Sequence, residues 1–335
     1  MLLLMNRPKV TAEEYINFLV ATPRQATATE AARCQPAVPG RAAHDAFTRL
    51  LERLEPDADE LWREVESQIQ RDDGYLIVDD SVLDKPYARH MDLVGYLWSG
   101  KHKRSVKGIG LVTLLWTDGD RHLPCDYRLY DAADGLTKND HFRALLDAAN
   151  ARGFRPKLVL FDSWYSGLEN LKQVRKFGWH WLTRLKCNRK VNLDKTGLRP
   201  VSEVAIAPTG TIVHLEGYGL VKVFLIEAQD GNKAYWATNQ LEMTDLGRLQ
   251  GSEVSWKIEE YHRGLKQFTH VERCQARAAR AQRNHIGLCL RAFLRLENYA
   301  HHTGIQWLSA KLDIARDAVR AYLANPRYQL ESATA

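Results

Sequence analysis

The sequence predicts an α/β chain: a mixed sheet core flanked by helices, interrupted by an antiparallel β insertion and preceded by an N-terminal helical domain. Three observations carry that expectation. Two short apolar runs, Tyr75–Val78 and Lys157–Phe161, lead into aspartates, Asp79-Asp80 and Asp162. Segments of helical period alternate with these strands. A later stretch, residues 211–238, reads as strands separated by glycine turns.

Composition narrows the class. At 335 residues the chain is long enough for a full core and two or three domains. A hydrophobic content of 45% is ordinary for a globular protein, and a net charge of +6 with pI about 9.0 is compatible with a nucleic-acid partner. The five cysteines are far apart and form no C-x-x-C. This argues against a disulfide framework or a zinc site and points to a reducing, cytoplasmic setting. The Leu2–Met5 run is too short for a signal sequence and no stretch reaches transmembrane length, so no membrane partner is expected.

Residues 1–70 read as short helices. Thr11-Ala-Glu-Glu14 has the capping-box pattern, and Thr27-Ala-Thr-Glu30 repeats it. Helical periodicity continues over His44–Leu54 and Ala58–Ile69. The segment fits a DNA-end-binding domain or a plain helical cap, and Arg24 is a candidate phosphate contact. Tyr75–Asp80 is a buried type of strand, Ser105–Trp116 a second, and Arg121–Tyr130 a third after the Thr117-Asp-Gly-Asp120 turn. His141–Ala151 reads as a helix, Leu158–Phe161 as a strand, Leu168–Phe177 as a helix and Trp179–Leu185 as a strand. The order β-β-β-α-β-α-β is that of an RNase H-like core with acids on its first and fourth strands. In open α/β sheets, sites gather at such strand ends. Cys187–Asn239 reads as the β insertion. The expected segments are therefore 1–70 (helical), 71–186 (first part of the core), 187–240 (insertion), 241–305 (completion of the core) and 306–335 (C-terminal helix and tail).

Glu253–Phe268 reads as one amphipathic helix. Ile258, Tyr261, Leu265 and Phe268 form an apolar stripe; Glu259, Arg263 and Lys266 lie opposite. A solvated face would show the same spacing. What singles it out is the company of Asp80 and Asp162. Three carboxylates, two at strand ends and one on a helix, suit a site that holds a pair of divalent ions about 4 Å apart for phosphoryl transfer. Hard ions such as Mg²⁺ take oxygen ligands. Arg273, Arg277 and Arg280 recur after this helix; with Lys85, Arg263 and Lys266 they are candidate DNA contacts.

These motifs resemble the DDE transposases of bacterial insertion sequences. The resemblance rests on Asp79-Asp-Ser81, Phe161-Asp-Ser-Trp-Tyr165, a β-rich insertion and Trp256-Lys-Ile-Glu-Glu-Tyr-His-Arg-Gly-Leu-Lys266, over roughly residues 70–300. It is nearest the IS-four-like group, whose third acid sits in a Tyr-Arg-Glu-Lys signature. It implies Asp80, Asp162 and Glu259 as catalytic, metal-holding acids with two Mg²⁺ or Mn²⁺. It also implies cut-and-paste transposition on double-stranded DNA, both terminal inverted repeats and target, by a homodimer associated with the bacterial nucleoid. Ser252 and Ser255 stand where the signature has Tyr and Arg. Tyr218, Tyr235 and Trp236 are the candidates for stacking a flipped base. Two alternatives share the acids: an RNase H-like structure-selective nuclease, and a degenerate transposase that only binds DNA.

Overall fold

The computed structural model describes residues 8–23, 25–100, 102–228 and 231–326. Arg24, the Gln229-Asp230 turn and the tail from Gln329 fall outside them. The chain forms two compact units, Met1–Pro56 with Gly264–Ala335, and Asp57–Arg263.

The first unit opens with α1 (Ala12–Ala21), α2 (Ala28–Arg33) and α3 (His44–Arg53). The Thr11 capping box forms as expected: Thr11 and Glu14 each satisfy the other's backbone N–H. At α2 the Thr27 hydroxyl accepts the Glu30 N–H at 3.1 Å.

The second unit begins with α4 (Asp59–Val65) and contains the sheet. Its strands in chain order are β1 (Tyr75–Asp84), β2 (Gly95–Ser99), β3 (Arg104–Thr117), β4 (Leu123–Tyr130), β5 (Leu158–Phe161) and β6 (Trp181–Leu185). There follow β7 (Lys190–Asn192), β8 (Arg199–Pro200), β9 (Thr211–Leu215), β10 (Gly219–Glu227) and β11 (Lys233–Thr238). Helix α5 (Lys138–Ala151) joins β4 to β5, and α6 (Leu168–Lys176) joins β5 to β6. After β11 come α7 (Asp245–Ser255) and α8 (Lys257–Phe268), with the boundary between units falling inside α8. The sheet order is β2-β3-β1-β5-β6-β11-β10-β9-β7-β8, with β4 also on β3. β1 pairs antiparallel with β3 and parallel with β5, and β5 is parallel to β6.

Four expectations change. The first strand, expected to end at Asp80, runs on to Asp84, so Asp80 lies within it. The β stretch after residue 187 continues the same sheet, because β11 pairs with β6 (Tyr235 opposite Leu185). The helical N-terminal region ends at Pro56 and joins the C-terminal segment in one unit. The helix expected over Glu253–Phe268 breaks at Trp256. Ser252 and Ser255 turn their hydroxyls back to the carbonyls of Leu249 and Ser252, at 2.7 and 2.6 Å. Such back-bonding competes with the helical ladder, and the Trp256 N–H closes a tight last turn on Glu253.

Alternation along β1 decides what each face carries. Val78 lies opposite Phe161, whose ring meets Phe142 of α5 edge-on at 5.1 Å. That face, shared by Asp80, is covered by α5. Ile77 lies opposite Leu160, and a Cβ on Gly251 of α7 would come within 2.6 Å of Leu182 and 3.5 Å of Leu158. That face, shared by Asp79, is covered by α7, which needs a glycine to approach so closely. Asp79 also pairs across the ladder with Thr113, and Thr113 with Tyr127, both beside the buried Tyr261 of α8.

The first unit closes with α9 (Ala279–Thr303) and α10 (Trp307–Ala324). Tyr15, Phe47, Leu50, Ile286 and Phe293 are fully buried there. Removing about 25 cal/mol of free energy per Å² of apolar surface from water is what holds such helices together.

Candidate active site

Asp80, inside β1 just past its parallel pairing with β5, and Asp162, directly after β5, fall into one neighbourhood. The Asp80 carboxylate is held from both sides. The Lys138 ammonium donates to one oxygen at 2.5 Å and the Tyr165 hydroxyl to the other at 2.8 Å. Lys138 is the first residue of α5, placed by the Thr137–Asp140 capping box. Tyr165 is fully buried, stacked 5.1 Å from Phe142. Burial and then the Asp80 and Asp79 charges raise its phenol well above the usual range, so it remains a donor.

Asp162 follows β5 directly. Its carboxylate accepts the backbone N–H of Trp164 at 2.9 Å and of Tyr165 at 3.4 Å, a local turn at the strand end. Lost hydration and the Asp80 charge raise its carboxyl, and these two N–H groups and Lys138 offset part of the rise. Asp79, on the other face, is raised well above the usual range, first by burial and then by Asp80, Asp162 and Glu259. Four acids therefore share one electrostatic field.

On α8, Glu259 is exposed, whereas Glu260 is engaged by His122 at 3.0 Å and Lys257 at 3.2 Å. Burial opposes ionisation of Glu260, but these two partners outweigh it and lower its carboxyl. Among the described residues Asp162 and Glu259 form no ion pair with a side chain. In this conformation no three His, Cys, Asp or Glu side chains among the described residues converge closely enough to hold an ion. Mutual repulsion keeps uncompensated carboxylates apart, and Lys138 already takes Asp80. The donor chemistry nevertheless fits a hard divalent ion: anionic oxygens from β1, from the turn after β5 and from α8.

The cationic and aromatic candidates fare differently. Arg263, Arg273 and Arg277 are exposed. Lys266 is half-buried and faces Glu272 at 3.5 Å. Lys85 is 6% exposed, which removes it from any open DNA-facing surface. Arg280 is tied to the end of α3, donating to the Leu54 and Arg53 carbonyls at 2.9 and 3.1 Å and pairing with Glu55. Its guanidinium caps that helix end. Tyr218, in the turn between β9 and β10, and Tyr235 and Trp236 of β11 are buried, so none offers a ring face to a base. Tyr218 accepts the Trp181 indole N–H at 2.9 Å and is covered by Arg175, and Arg184 covers Trp236. The exposed rings near the acids are Trp164, with Lys186 over it, and Trp256, at 53% and 61% exposure. Sequence reasoning missed Lys138, Tyr165 and the His122–Glu260 contact. The Thr137-x-x-Asp140 spacing, which sets Lys138 at the helix start, is the signal that could have found one of them.

A mixed sheet with one acid inside β1, another just past the end of the neighbouring β5, and a further acid on a helix, is the RNase H-like arrangement of nucleic-acid phosphoryl-transfer enzymes. Within that class, the sequence model of the transposase DDE domain family matches residues 70–295, about two thirds of the chain, and the chain belongs to that family. It is thus a DNA transposase, of a class that cuts and joins DNA with divalent metal ions. The fold is also similar to that of a solved piggyBac transposase, described as a synaptic complex with hairpin DNA. The similarity has a TM-score of 0.55 at 10% identity and covers 97% of this chain and 74% of that one. No curated relative matches the chain. Among the described residues no helix is long and apolar enough to cross a membrane.

Proposed function

We propose that this chain carries out cut-and-paste transposition of an insertion sequence, cutting at terminal inverted repeats and joining the freed ends to target DNA. The observation that carries the reading is the shared neighbourhood of Asp80, within β1, and Asp162, just past the parallel β5, with Glu259 left unpaired while its neighbour Glu260 is engaged. Asp80, Asp162 and Glu259 are the acids assigned to hold two Mg²⁺ or Mn²⁺. When bound, these ions supply charge neutralisation and an activated oxygen nucleophile.

The chain's own residues then have definite tasks. Tyr165 fixes the Asp80 carboxylate by donating to Oδ1. Backbone N–H groups of Trp164 and Tyr165 orient Asp162. Lys138 balances the Asp80 charge before loading and, once released, stands beside the site as a cation for a DNA phosphate. His122 and Lys257 hold the first turn of α8 through Glu260, and this sets the direction in which Glu259 projects. Exposed Arg263, Arg273 and Arg277 are assigned to DNA backbone contact. The working form is assigned as a homodimer that joins two transposon ends, in the cytoplasm at the nucleoid.

The test is strand cleavage. Labelled duplexes carrying the inverted repeats that flank the gene are incubated with the protein and Mg²⁺ or Mn²⁺, beside the Glu259→Gln protein. Metal-dependent nicking at the repeat boundary, absent in the variant, supports the reading. Tight repeat binding without cleavage would move the protein to a DNA-binding role, and a preference for junction DNA over repeats would move it to the structure-selective nucleases.

A further inference from the structure

Strand β2 is the edge of the sheet on the β1–β3 side, and it is unlike the other strands. Tyr96 and Trp98, two residues apart and so on one face, are 75% and 60% exposed. Edge strands usually avoid large exposed rings, because an open edge invites association. Tyr87, in the loop leading to β2, is 93% exposed. These rings are drawn together by Lys107. It pairs with Tyr96 across the ladder, stands 5.9 Å over that ring, and donates at 2.8 Å to the Ala88 carbonyl next to Tyr87. Exposed Lys103 and Arg104 sit at the tip of the β2–β3 hairpin. The nearby acids are Asp84, which faces His102 at 3.2 Å, and Asp92. Aromatic rings interleaved with an excess of cations match a nucleic-acid strand, in which π faces and phosphates alternate. A protein partner of neutral or basic surface fits this charge poorly.

The position is informative. The Lys85 N–H donates to the Lys107 carbonyl at 2.9 Å, so the patch lies level with a point five residues beyond Asp80 on β1. At ~3.3 Å per residue that is about 16 Å, or roughly five nucleotides of a strand at 3.4 Å each. We propose that the β2–β3 hairpin is a second DNA site: Tyr96 and Trp98 stack unpaired bases about five nucleotides from the cut, and Lys103 and Arg104 hold the adjoining phosphates. This rests on the assignment of Asp80 to the cleavage site. The cut itself frees strand ends that can supply unpaired bases.

The test uses the full chain and fluorescein-labelled 30-base-pair duplexes of arbitrary sequence, either blunt or with a five-nucleotide overhang, followed by anisotropy. Wild type is expected to bind the overhang duplex more tightly. The Tyr96→Ala/Trp98→Ala protein should lose about tenfold on the overhang duplex, the scale of stacking one base, and stay within twofold on the blunt one. Tyr96→Phe/Trp98→Phe should restore the difference, which separates stacking from misfolding. Lys103→Gln/Arg104→Gln should lower the slope of log K against log salt by about one to two. Equal losses on both duplexes, or no loss, would overturn the proposal. So would unchanged DNA affinity with a wild-type dimer that dissociates in the alanine variant by sedimentation, since the patch is then a protein interface. Adding Mg²⁺ and repeat ends to the same samples separates the two assignments. Overhang selectivity without cleavage removes the catalytic reading and leaves the patch; cleavage without selectivity does the reverse.

Discussion

Two adjacent acid pairs, Asp79-Asp80 on β1 and Glu259-Glu260 on α8, look alike in the sequence and are treated oppositely by the fold. Neighbours on a strand point to opposite faces, so the sheet itself separates Asp79 from Asp80. Asp80 goes to the α5 face and meets Lys138 and Tyr165; Asp79 goes to the face covered by α7 and α8. Neighbours on a helix are only ~100° apart, so Glu259 and Glu260 remain on one side, and partners alone tell them apart. His122 and Lys257 take Glu260 and leave Glu259 exposed. A repeated acidic residue is therefore not redundancy. On the strand it gives one carboxylate to each face, and on the helix one engaged carboxylate and one exposed.

The sharpest way to break this comparison is to neutralise each acid in turn. Asp80→Asn, Asp162→Asn and Glu259→Gln should each reduce strand cleavage by about 10³-fold or more, the several kcal/mol that a correctly held ion contributes, with repeat binding nearly intact. Asp79→Asn should keep most cleavage. If Asp79→Asn is the dead variant and Asp80→Asn the active one, the β1 ligand lies on the α8 face and the assignment changes. Gel cleavage assays beside filter binding decide this.

Next in size is the support on α8. Glu260→Gln leaves His122 and Lys257 without their charged acceptor. It should lower stability by about 1–3 kcal/mol and cleavage by less than tenfold, read by urea unfolding beside the same cleavage assay. Equal loss of cleavage in Glu260→Gln and Glu259→Gln would erase the distinction between ligand and support.

A subtler effect is expected at Lys138. Because its ammonium occupies the Asp80 carboxylate, Lys138→Met should tighten Mn²⁺ binding several-fold, measured by calorimetry, while slowing cleavage. Unchanged or weaker binding would make Lys138 a purely structural partner.

The pH dependence is smaller still. Burial and neighbouring carboxylates raise Asp79 and Asp162 above the usual range, so folding favours their protonated forms. Stability from this source is complete below about pH 4, the unfolded aspartate value, and is lost as pH rises through the raised values. Thermal melts of the metal-free protein should show Tm falling over that interval, with a flatter profile for Asp79→Asn. Lys266→Ala is expected to give the least: Lys266 already faces Glu272, so DNA affinity should fall by no more than about twofold.

Much of this fold was legible in the sequence because several of its strands are apolar runs bounded by turn residues or followed by an acid. Leu158–Phe161 and Lys233–Thr238 form over the residues expected. The Asp162 and Glu259 motifs also fall where the reading placed them, one at the end of β5 and one on α8. What could not be read was long-range pairing. Nothing local to residues 187–240 says that β11 will hydrogen-bond to β6 and extend the core sheet. Likewise, nothing local to Tyr218, Tyr235 or Trp236 says that their faces will be covered, two of them by arginines from distant segments. Lys85 illustrates the same limit: a charge beside an acidic motif reads as exposed, yet the strand buries it. The break at Trp256 was hidden because the two serines before it carry no strong helix-stop signal, and their effect appears only once their hydroxyls turn back on the backbone.

The continuous sheet also has a practical use. The exposed turn at Asp194–Gly197 joins β7 to β8 at the far edge, six strands from β1 in the sheet order. At ~4.8 Å per strand that is about 29 Å from the acids. A fluorophore or affinity tag inserted there enters the turn of the short β7–β8 ladder, which joins the rest of the sheet only through β9. The same enzyme could then be immobilised or tracked while its cutting end stays in its native form.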